Sequence, residues 1–439
     1  MRYPKILIFF LLTSLLLSCS GGGGGGDNRF DPECTIEKQN QYVHELLLDV
    51  YYWYREVDPV INYADFDSPQ QTLDFLKYEA LDRFSYIADA AEFDSIFRAG
   101  QYLGFGFSLL TESDGTVWIR FIFDDSSAGR AGLQRGDQIL SINGQTVVEI
   151  SDAFAWNNVL GSDEEEGYTI SMLVRKQDGT TVTTSMEKSI VNINTVLHSS
   201  VINTGSESVG YMVYESFIST SNAEFERVFN TFNTAGVTKL ILDLRYNGGG
   251  SGDVATNLAS YLKPVSTNDT EELVTLIYND KYQFINETLY LSPMINSLNL
   301  DQLIIITSEQ TCSASEMIIS GLDPYLDVKT VGSTTCGKPV GMNGFEYCGN
   351  IILPVTFSVE NVNDVGEYFD GLPVDCPADD DVSFDFGDSL DPMLSQALYL
   401  SQNNTCQITT ASTLSQSLKL NASPTKEPYS LRSVIGGAY

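Results

Sequence analysis

Residues 239–250 read KLILDLRYNGGG, a short apolar run that ends in a cluster of glycines. A continuous apolar run of this length, bounded by turn residues, predicts a buried β-strand. The same pattern recurs in the strand-like runs 303–307 and 328–332, and the helix-like stretches are 254–262 and 314–322. Strands that alternate with helices favour a largely parallel sheet. Residues 191–400 are therefore predicted to form an α/β domain.

Two motifs in this region bring together groups suited to acyl transfer. The glycines of NGGG, residues 247–250, allow backbone amides to point into a cleft, as in an oxyanion hole. The sequence TCSASE, residues 311–316, places Ser313 at the start of a predicted helix. In one interpretation Ser313 and Glu316 form a capping box. In the other, Ser313 is a nucleophile and the Ala314 amide stabilises an oxyanion.

A third motif, TCGK at residues 335–338, offers a base. Lys338 lies beside a glycine in an apolar neighbourhood, and burial would lower its pKa enough for proton transfer. The alternative is a solvated surface lysine. The chain contains only two histidines, His44 and His198, which leaves little material for a Ser-His-Asp triad. A Ser–Lys dyad is the nucleophile arrangement that remains.

Residues 100–190 contain short β-like runs around a second recognisable stretch. Residues 126–144 read SSAGRAGLQRGDQILSING, which resembles a PDZ domain. The carboxylate-binding loop of that family corresponds here to Leu103, Gly104, Phe105, Gly106 and Phe107. Such a loop directs N–H groups at a peptide carboxylate, and the next strand accepts the peptide by β-augmentation. A blocked or purely structural groove is the alternative.

Residues 34–99 are predicted to be helical. Apolar residues recur at intervals of three and four between Val43 and Tyr54, and Ser68-Pro69 is a favourable helix start. The aromatic cluster 51–54 is interpreted as core and domain interface rather than as a binding surface.

The order of these segments resembles the C-terminal processing (tail-specific) serine peptidase family over residues 40–400. The resemblance implies a multidomain α/β protein: a helical N-terminal domain, a PDZ domain of β-rich α+β type, and a catalytic domain of the ClpP/crotonase-like ββα-superhelix fold. It also implies roles for individual residues. These are Ser313 as nucleophile, Lys338 as general base, Gly249, Gly250 and Ala314 as oxyanion hole, and Glu316 and Thr335 as supporting residues. The chain departs from the family at Met342, where many members carry a glutamine.

The N-terminus resembles a bacterial lipoprotein signal. A basic start is followed by an apolar stretch, residues 6–17, that is too short to span a bilayer comfortably. Cys19 then stands at the cleavage site and would be lipidated, ahead of six glycines that form a flexible tether. An ordinary signal peptide with an incidental cysteine is the alternative. We expect a lipid-anchored protein of the cell envelope, facing the periplasm or the cell exterior.

Composition limits the partners. Lys and Arg number 24 and Asp and Glu 58, which gives a net charge of −34 and argues against binding of nucleic acid. Six cysteines besides Cys19 allow 15 full pairings in an oxidising compartment. A hairpin disulfide between Cys336 and Cys348 is one hypothesis among them. No CxxC spacing is present, and neither a metal nor an organic cofactor is expected.

The sequence thus predicts an exported serine endopeptidase that acts on unfolded or C-terminally exposed polypeptides, with the PDZ domain binding substrate or gating the site. A homodimer is possible through the N-terminal segment. The rival hypotheses are an inactive peptide-binding lipoprotein and a structural envelope protein. The predicted boundaries are 1–18 for the signal peptide, 19–33 for Cys19 and the tether, 34–99 for the helical domain, 100–190 for the PDZ domain, 191–400 for the catalytic domain and 401–439 for a mobile tail.

Overall fold

The computed structural model describes residues 34–150, 153–162, 165–205, 207–266, 269–407, 430–435, 437 and 439. The predicted signal peptide, Cys19 and the whole of the predicted tether lie outside these ranges. Within them, no helix combines the length and apolar character needed to cross a bilayer.

The helices and strands of the three regions follow one another along the chain. The helices are α1 (Ile36–Val50), α2 (Pro69–Leu76), α3 (Ala90–Asp94), α4 (Ser127–Arg130), α5 (Ala153–Leu160), α6 (Ser221–Thr234), α7 (Gly252–Leu262), α8 (Ala314–Leu322), α9 (Pro392–Asn403) and α10 (Leu431–Val434). The first strands are β1 (Tyr86–Asp89), β2 (Gln101–Gly104), β3 (Phe107–Thr111), β4 (Val117–Ile122), β5 (Gln138–Ile142), β6 (Gln145–Thr146), β7 (Thr169–Arg175), β8 (Thr181–Glu187) and β9 (Ser189–Asn192). The remaining strands are β10 (Val196–Asn203), β11 (Ser208–Tyr214), β12 (Lys239–Asp243), β13 (Glu272–Tyr278), β14 (Glu287–Tyr290), β15 (Gln302–Thr307), β16 (Val328–Gly332), β17 (Val340–Met342), β18 (Phe345–Tyr347), β19 (Asn350–Leu353), β20 (Val355–Asn361) and β21 (Cys376–Pro377).

The predicted parallel sheet is confirmed. Its strand order is β10-β11-β12-β15-β16-β21, and every pair except the antiparallel β10–β11 is parallel. Both faces are covered, which explains the continuous apolar runs. Leu240 and Leu242 pack in one core with α6, α7 and α8, whereas Ile241 packs on the other face against α9.

The PDZ region forms an antiparallel sheet in the order β3-β4-β5-β7-β8, with β6 paired to β5. Its inward residues, including Phe105, Ile119 and Ile139, make a core of their own. Ser126 caps α4 by accepting a hydrogen bond from the Gly129 amide at 3.2 Å. This is the short helix that the PDZ resemblance predicts.

The N-terminal region is less helical than predicted. Helices α1 and α2 begin at the capping residues Thr35 and Ser68, as the sequence indicates for the second of them. Residues 86–89, however, form strand β1, which pairs with β19 of the catalytic region. Backbone pairing with a distant strand overrides the local helical pattern, because each paired amide then has its hydrogen bond.

The cysteines correct the hypothesis of a Cys336–Cys348 bridge. The disulfides are Cys34–Cys348, Cys312–Cys336 and Cys376–Cys406. The turn that carries Cys348 packs near the start of α1, where Asn350 donates a hydrogen bond to Gln39 at 3.0 Å. Cys348 therefore meets Cys34, and Cys336 faces the loop before α8.

The prediction of a mobile tail over 401–439 is wrong at both ends of that segment. Helix α9 continues to Asn403, with Asn404 in the left-handed conformation as its C-cap. Leu431, Val434 and Ile435 are buried in the core that the N-terminal and catalytic regions share. Residues 408–429 lie outside the described part of the chain.

Candidate active site

Ser313 lies in a backbone conformation that residues other than glycine rarely adopt. It precedes α8 with φ +57° and ψ −115°, a combination that costs a non-glycine residue about 1–3 kcal/mol. Two hydrogen bonds hold this turn. Cys312 donates its amide to the Asn247 carbonyl at 3.1 Å, and Ser313 donates its amide to Glu316 at 2.9 Å. The second bond is the glutamate half of the predicted capping box.

The NGGG loop lies directly against this turn. At Gly249, with φ +102°, a Cβ atom would come 2.8 Å from the Ser313 Cβ and 3.1 Å from the Ala314 nitrogen, so only glycine fits. Asn247 joins the two segments, because its side-chain oxygen accepts from the Ser315 hydroxyl at 2.9 Å. The predicted oxyanion residues Gly249, Gly250 and Ala314 are thus brought together.

Their amides are not equivalent. The Gly249 amide donates to the Asn247 side-chain oxygen at 2.8 Å, so in this conformation it is engaged within its own loop. The amides of Gly250 and Ala314 make no hydrogen bond within the described residues. Ala314 occupies the first turn of α8, where amides lack intrahelical partners. In this conformation the Gly250 and Ala314 N–H groups are therefore the available oxyanion donors, and the role of Gly249 stays a prediction.

Lys338 is buried, with 2% of its surface exposed. Burial lowers the pKa of Lys338 to about 7, although the carboxylates of Asp82 and Glu316 oppose this shift. Its ammonium nitrogen lies 4.0 Å from the Met342 sulfur and 5.5 Å from the centre of the Phe84 ring. A lysine in this environment is partly neutral at neutral pH and can accept a proton.

Glu316 joins the turn at Ser313, here called the serine turn, to the loop before β17 that carries Lys338, here called the lysine loop. Its buried carboxylate accepts hydrogen bonds from the Thr335 hydroxyl at 2.5 Å, from the amides of Gly337 and Lys338 at 2.8 Å, and from the Ser313 amide. Burial raises the pKa of Glu316, and these hydrogen bonds act in the opposite direction. Both predicted supporting residues, Glu316 and Thr335, therefore act on the positions of Ser313 and Lys338.

Two further features hold the lysine loop. The Cys312–Cys336 disulfide connects the residue before Ser313 to a residue two positions before Lys338. Arg83 of the N-terminal region donates to the carbonyls of Cys336, Gly337 and Phe369 at 2.6, 3.0 and 3.2 Å. No local signal marks Arg83, since its partners lie some 250 residues away.

Cys312, Cys336 and Glu316 also place their ligand atoms within 4.8 Å of one another, the spacing of a possible metal site. The two sulfurs are joined in a disulfide, and metal binding needs thiolates. The group therefore does not fit a metal ion in this oxidation state.

A cavity of about 420 Å³ opens over these groups. Ser313, Ala314 and Lys338 line it, together with Gly250 from the glycine loop and Val434 from α10. Its size is in the range of small-molecule and peptide sites. Ser313, Lys338 and the two unengaged amides are thus arranged around one space.

A buried ionic network connects this site to the PDZ region. Arg245 is separated from the glycine loop by Tyr246, and it pairs with Asp243, Asp380 and Asp391 at 2.7–2.9 Å. Arg135 of the PDZ region pairs with the same Asp380 at 3.0 Å and donates to the Tyr246 hydroxyl at 2.7 Å. Asp243 ends β12 and Arg245 lies in the turn that follows, so the only sequence signal was the short Asp-x-Arg spacing.

The predicted carboxylate-binding loop of the PDZ region is occupied by the chain itself. The amides of Phe105, Gly106 and Phe107 donate to the backbone oxygen of Tyr439 at 3.0, 2.6 and 3.3 Å. Leu103 and Gly104 belong to β2, and a Cβ at Gly104 would come 2.8 Å from the Tyr439 carbonyl carbon. The loop therefore has the form needed to bind a terminal peptide oxygen.

Three family models match the chain. Residues 38–86 match the Peptidase S41 N-terminal domain, residues 95–175 the PDZ domain, and residues 208–370 Peptidase family S41. Among curated proteins, the carboxyl-terminal-processing protease of Picosynechococcus sp. is 28% identical over 232 residues, covering 53% of each chain. The carboxy-terminal processing protease CtpA of Bacillus subtilis is 23% identical over 267 residues, 59% of this chain and 52% of that protein. The chain spans about half the length of these relatives.

Solved structures show the same architecture. An S41 protease structure from Bacteroides fragilis has a TM-score of 0.69 at 25% identity and covers 83% of this chain and 97% of its own. The photosystem II D1 C-terminal processing protease has a TM-score of 0.50 at 19% identity, over 79% of this chain and 93% of its own. The second similarity is one of fold alone.

Proposed function

Because the chain belongs to peptidase family S41, as its motifs predict, we propose that it is a serine endopeptidase with a Ser313–Lys338 dyad. The observation that carries the proposal is the shared cavity. It places a strained serine and a buried lysine of lowered pKa around one space, and Glu316 hydrogen-bonds to both segments.

The proposed reaction begins when neutral Lys338 takes the proton of the Ser313 hydroxyl. The serine oxygen attacks the scissile carbonyl carbon, and the amides of Ala314 and Gly250 stabilise the oxyanion that forms. Lys338 then gives its proton to the leaving amine. In the second half, Lys338 removes a proton from water, the water oxygen attacks the acyl carbon, and Lys338 returns that proton to the Ser313 oxygen as the acyl bond breaks. General-base catalysis of this kind typically contributes 10²–10⁴-fold to the rate.

For the substrate we propose polypeptides with exposed C-termini. The support is the loop of Phe105, Gly106 and Phe107, whose amides converge on one backbone oxygen. The relatives named as carboxyl-terminal-processing proteases point to the same class of substrate. Delivery of the bound terminus to the cavity is the role we assign to the PDZ domain.

We further propose that the mature protein is anchored by a lipid at Cys19 and faces the periplasm or the cell exterior. Three disulfides among the described residues support an oxidising compartment. Labelling with a radioactive fatty acid tests this, and incorporation that persists in Cys19→Ser would contradict it.

The decisive experiment is proteolysis of an unfolded protein by the purified mature chain. We expect Ser313→Ala and Lys338→Ala each to lower the rate by at least about 10²-fold, with unchanged circular dichroism. Ser266→Ala and Lys329→Ala are matched controls away from the cavity, and they should cleave like the wild type. Undiminished cleavage by the Ser313 variant would refute the dyad. An inert wild type whose Ser313 resists a serine-reactive probe would favour the non-catalytic, peptide-binding alternative.

A further inference from the structure

The last residue of the sequence is bound as an added strand residue. Besides accepting the three amides of the PDZ loop, Tyr439 donates its own amide to the Phe107 carbonyl at 2.7 Å. Phe107 and Tyr439 therefore exchange both backbone hydrogen bonds, which is the pattern of an antiparallel pair. This is how an extended peptide augments a sheet edge.

The side chain of Tyr439 also occupies a specific place. Its ring packs on the PDZ core, 6.3 Å from the ring centre of Phe107. The hydroxyl of Tyr102 lies 3.5 Å from the Tyr439 oxygen. The groove thus accepts an aromatic side chain together with a backbone oxygen.

The residues before Tyr439 enter the catalytic cleft. Leu431, Val434 and Ile435 expose 7%, 1% and 2% of their surfaces, and they pack in a core that includes Val340 and the Cys312–Cys336 pair. Val434 lines the same cavity as Ser313 and Lys338. One short segment therefore reaches both the PDZ groove and the proposed site of chemistry, with four residues between Val434 and Tyr439.

We propose that the segment of Leu431, Val434, Ile435 and Tyr439 is an internal ligand, with Tyr439 in the PDZ groove and Val434 at the active-site cleft of the same chain, in the manner of a polypeptide substrate. Substrates then compete with this segment, and those that place an aromatic residue in the groove compete best. The inference rests on the proposed function in treating the cleft as the place where substrate is cut. Binding of the segment in the groove and the cleft can be measured without that function.

The connection within one chain is physically reasonable. Residues 408–429 supply 22 residues between Gln407 and Ser430, a contour of roughly 70 Å at about 3.3 Å per residue. A connection of this length places its ligand at an effective concentration on the order of 1 mM. A segment that binds with a Kd of about 0.1 mM would then weaken a competing peptide about tenfold.

The test measures binding in the Ser313→Ala background, so that no peptide is cut. The probe is a fluorescein-labelled peptide of residues 431–439, LRSVIGGAY, with a free carboxylate. We expect Tyr439→Asp, and a chain that ends at Gln407, each to bind the probe about tenfold more tightly than the full chain. Tyr399→Asp, the same change on the exposed side of α9, is the matched control and should bind like the full chain.

Equal affinities in all four proteins would overturn the inference. A gain on truncation that vanishes when the protein is diluted tenfold would also overturn it, since the occupant would then be the segment of a second copy. With Ser313 intact, we expect Tyr439→Asp to raise kcat/KM on a protein substrate. Tighter probe binding without any proteolysis would leave the internal ligand in place and refute only the proposed peptidase function.

Discussion

At the scale of single residues, the site holds a serine in a strained backbone conformation and a lysine away from solvent. Ser313 is held at positive φ by its neighbours, and Lys338 is kept from water that would solvate its charge. Both conditions cost free energy and favour reactivity, because strain fixes the hydroxyl and desolvation favours the neutral amine.

The pH dependence of proteolysis should report on Lys338. The base must be neutral, so kcat/KM is expected to rise with pH with a midpoint near 7, the lowered pKa of this buried lysine. An ordinary lysine would place the midpoint at about 10.4. A pH–rate profile between pH 5 and 10 measures it, and a profile that keeps rising to pH 10 would contradict the assignment.

Glu316 is a positioning residue, and its replacement has a signature beyond loss of stability. In Glu316→Gln the amide nitrogen faces donors that the carboxylate accepted, which should cost roughly 1–3 kcal/mol of stability. Because the Glu316 charge raises the pKa of Lys338, its removal should also move the midpoint of the pH–rate profile downward.

The exposed Glu309→Gln, just before the serine turn, is the control for this change. It should alter neither the thermal midpoint nor the pH profile. A Glu316→Gln variant that is less stable but keeps the wild-type midpoint of the pH–rate profile would show that the carboxylate has no electrostatic effect on Lys338.

At the scale of elements, the turn before α8 and the loop before β17 behave as one unit. The Cys312–Cys336 disulfide, the Cys336 amide bonded to the Thr311 carbonyl at 3.0 Å, and the Glu316 hydrogen bonds all connect them. Ser313 and Lys338 are thus fixed by contacts between the two loops rather than by either loop alone.

The two shorter disulfides allow the positioning effect of the Cys312–Cys336 bridge to be tested with matched variants. The Cys312–Cys336 bridge spans 24 residues and the Cys376–Cys406 bridge 30, so removal of either should cost a similar 2–4 kcal/mol or so. Only Cys312→Ser with Cys336→Ser should lower kcat, by about tenfold or more. Equal activity of both double variants would show that the bridge does not position the site.

At the scale of the whole molecule, a buried network couples the PDZ region to the glycine loop. Burial opposes ionisation of Asp380, but Arg245 and Arg135 outweigh it and lower the pKa of Asp380 to about 2. The carboxylate therefore stays charged between two arginines from different regions of the chain. It holds the regions in one arrangement around the cavity.

Asp380→Asn should weaken this contact. The loss of a charge-assisted partner for both arginines is expected to cost roughly 1.5–3 kcal/mol and to speed limited proteolysis between the regions. The stabilisation by the carboxylate is fully present above its unfolded pKa of about 3.9 and is lost as the pH falls through about 2.

The difference in thermal midpoint between wild type and Asp380→Asn should therefore shrink below pH 4. Asp385→Asn, an exposed change in the same segment, serves as control and should resemble the wild type. A difference that stays constant down to pH 2 would exclude ionisation of Asp380 as its source.

The sequence by itself determined the features that depend on a few neighbouring residues. The apolar run 239–244 and the start of α8 at Ala314 depend on burial pattern and capping, and both lie where the sequence predicts them. The motifs around Ser313 and Lys338 likewise identified the family before any contact was known. Local steric and hydrogen-bonding preferences depend only on residues that are close in sequence, so the sequence reveals them directly.

Only the tertiary structure decided the contacts that join distant segments. The Cys34–Cys348 pair, 314 residues apart, the Arg83 contacts to the lysine loop, and Tyr439 in the PDZ groove have no local signal. The same reason explains why Gly249, a predicted oxyanion donor, has its amide engaged with Asn247. Which groups meet depends on the path of the whole chain, and that path is fixed by the packing of all its cores together.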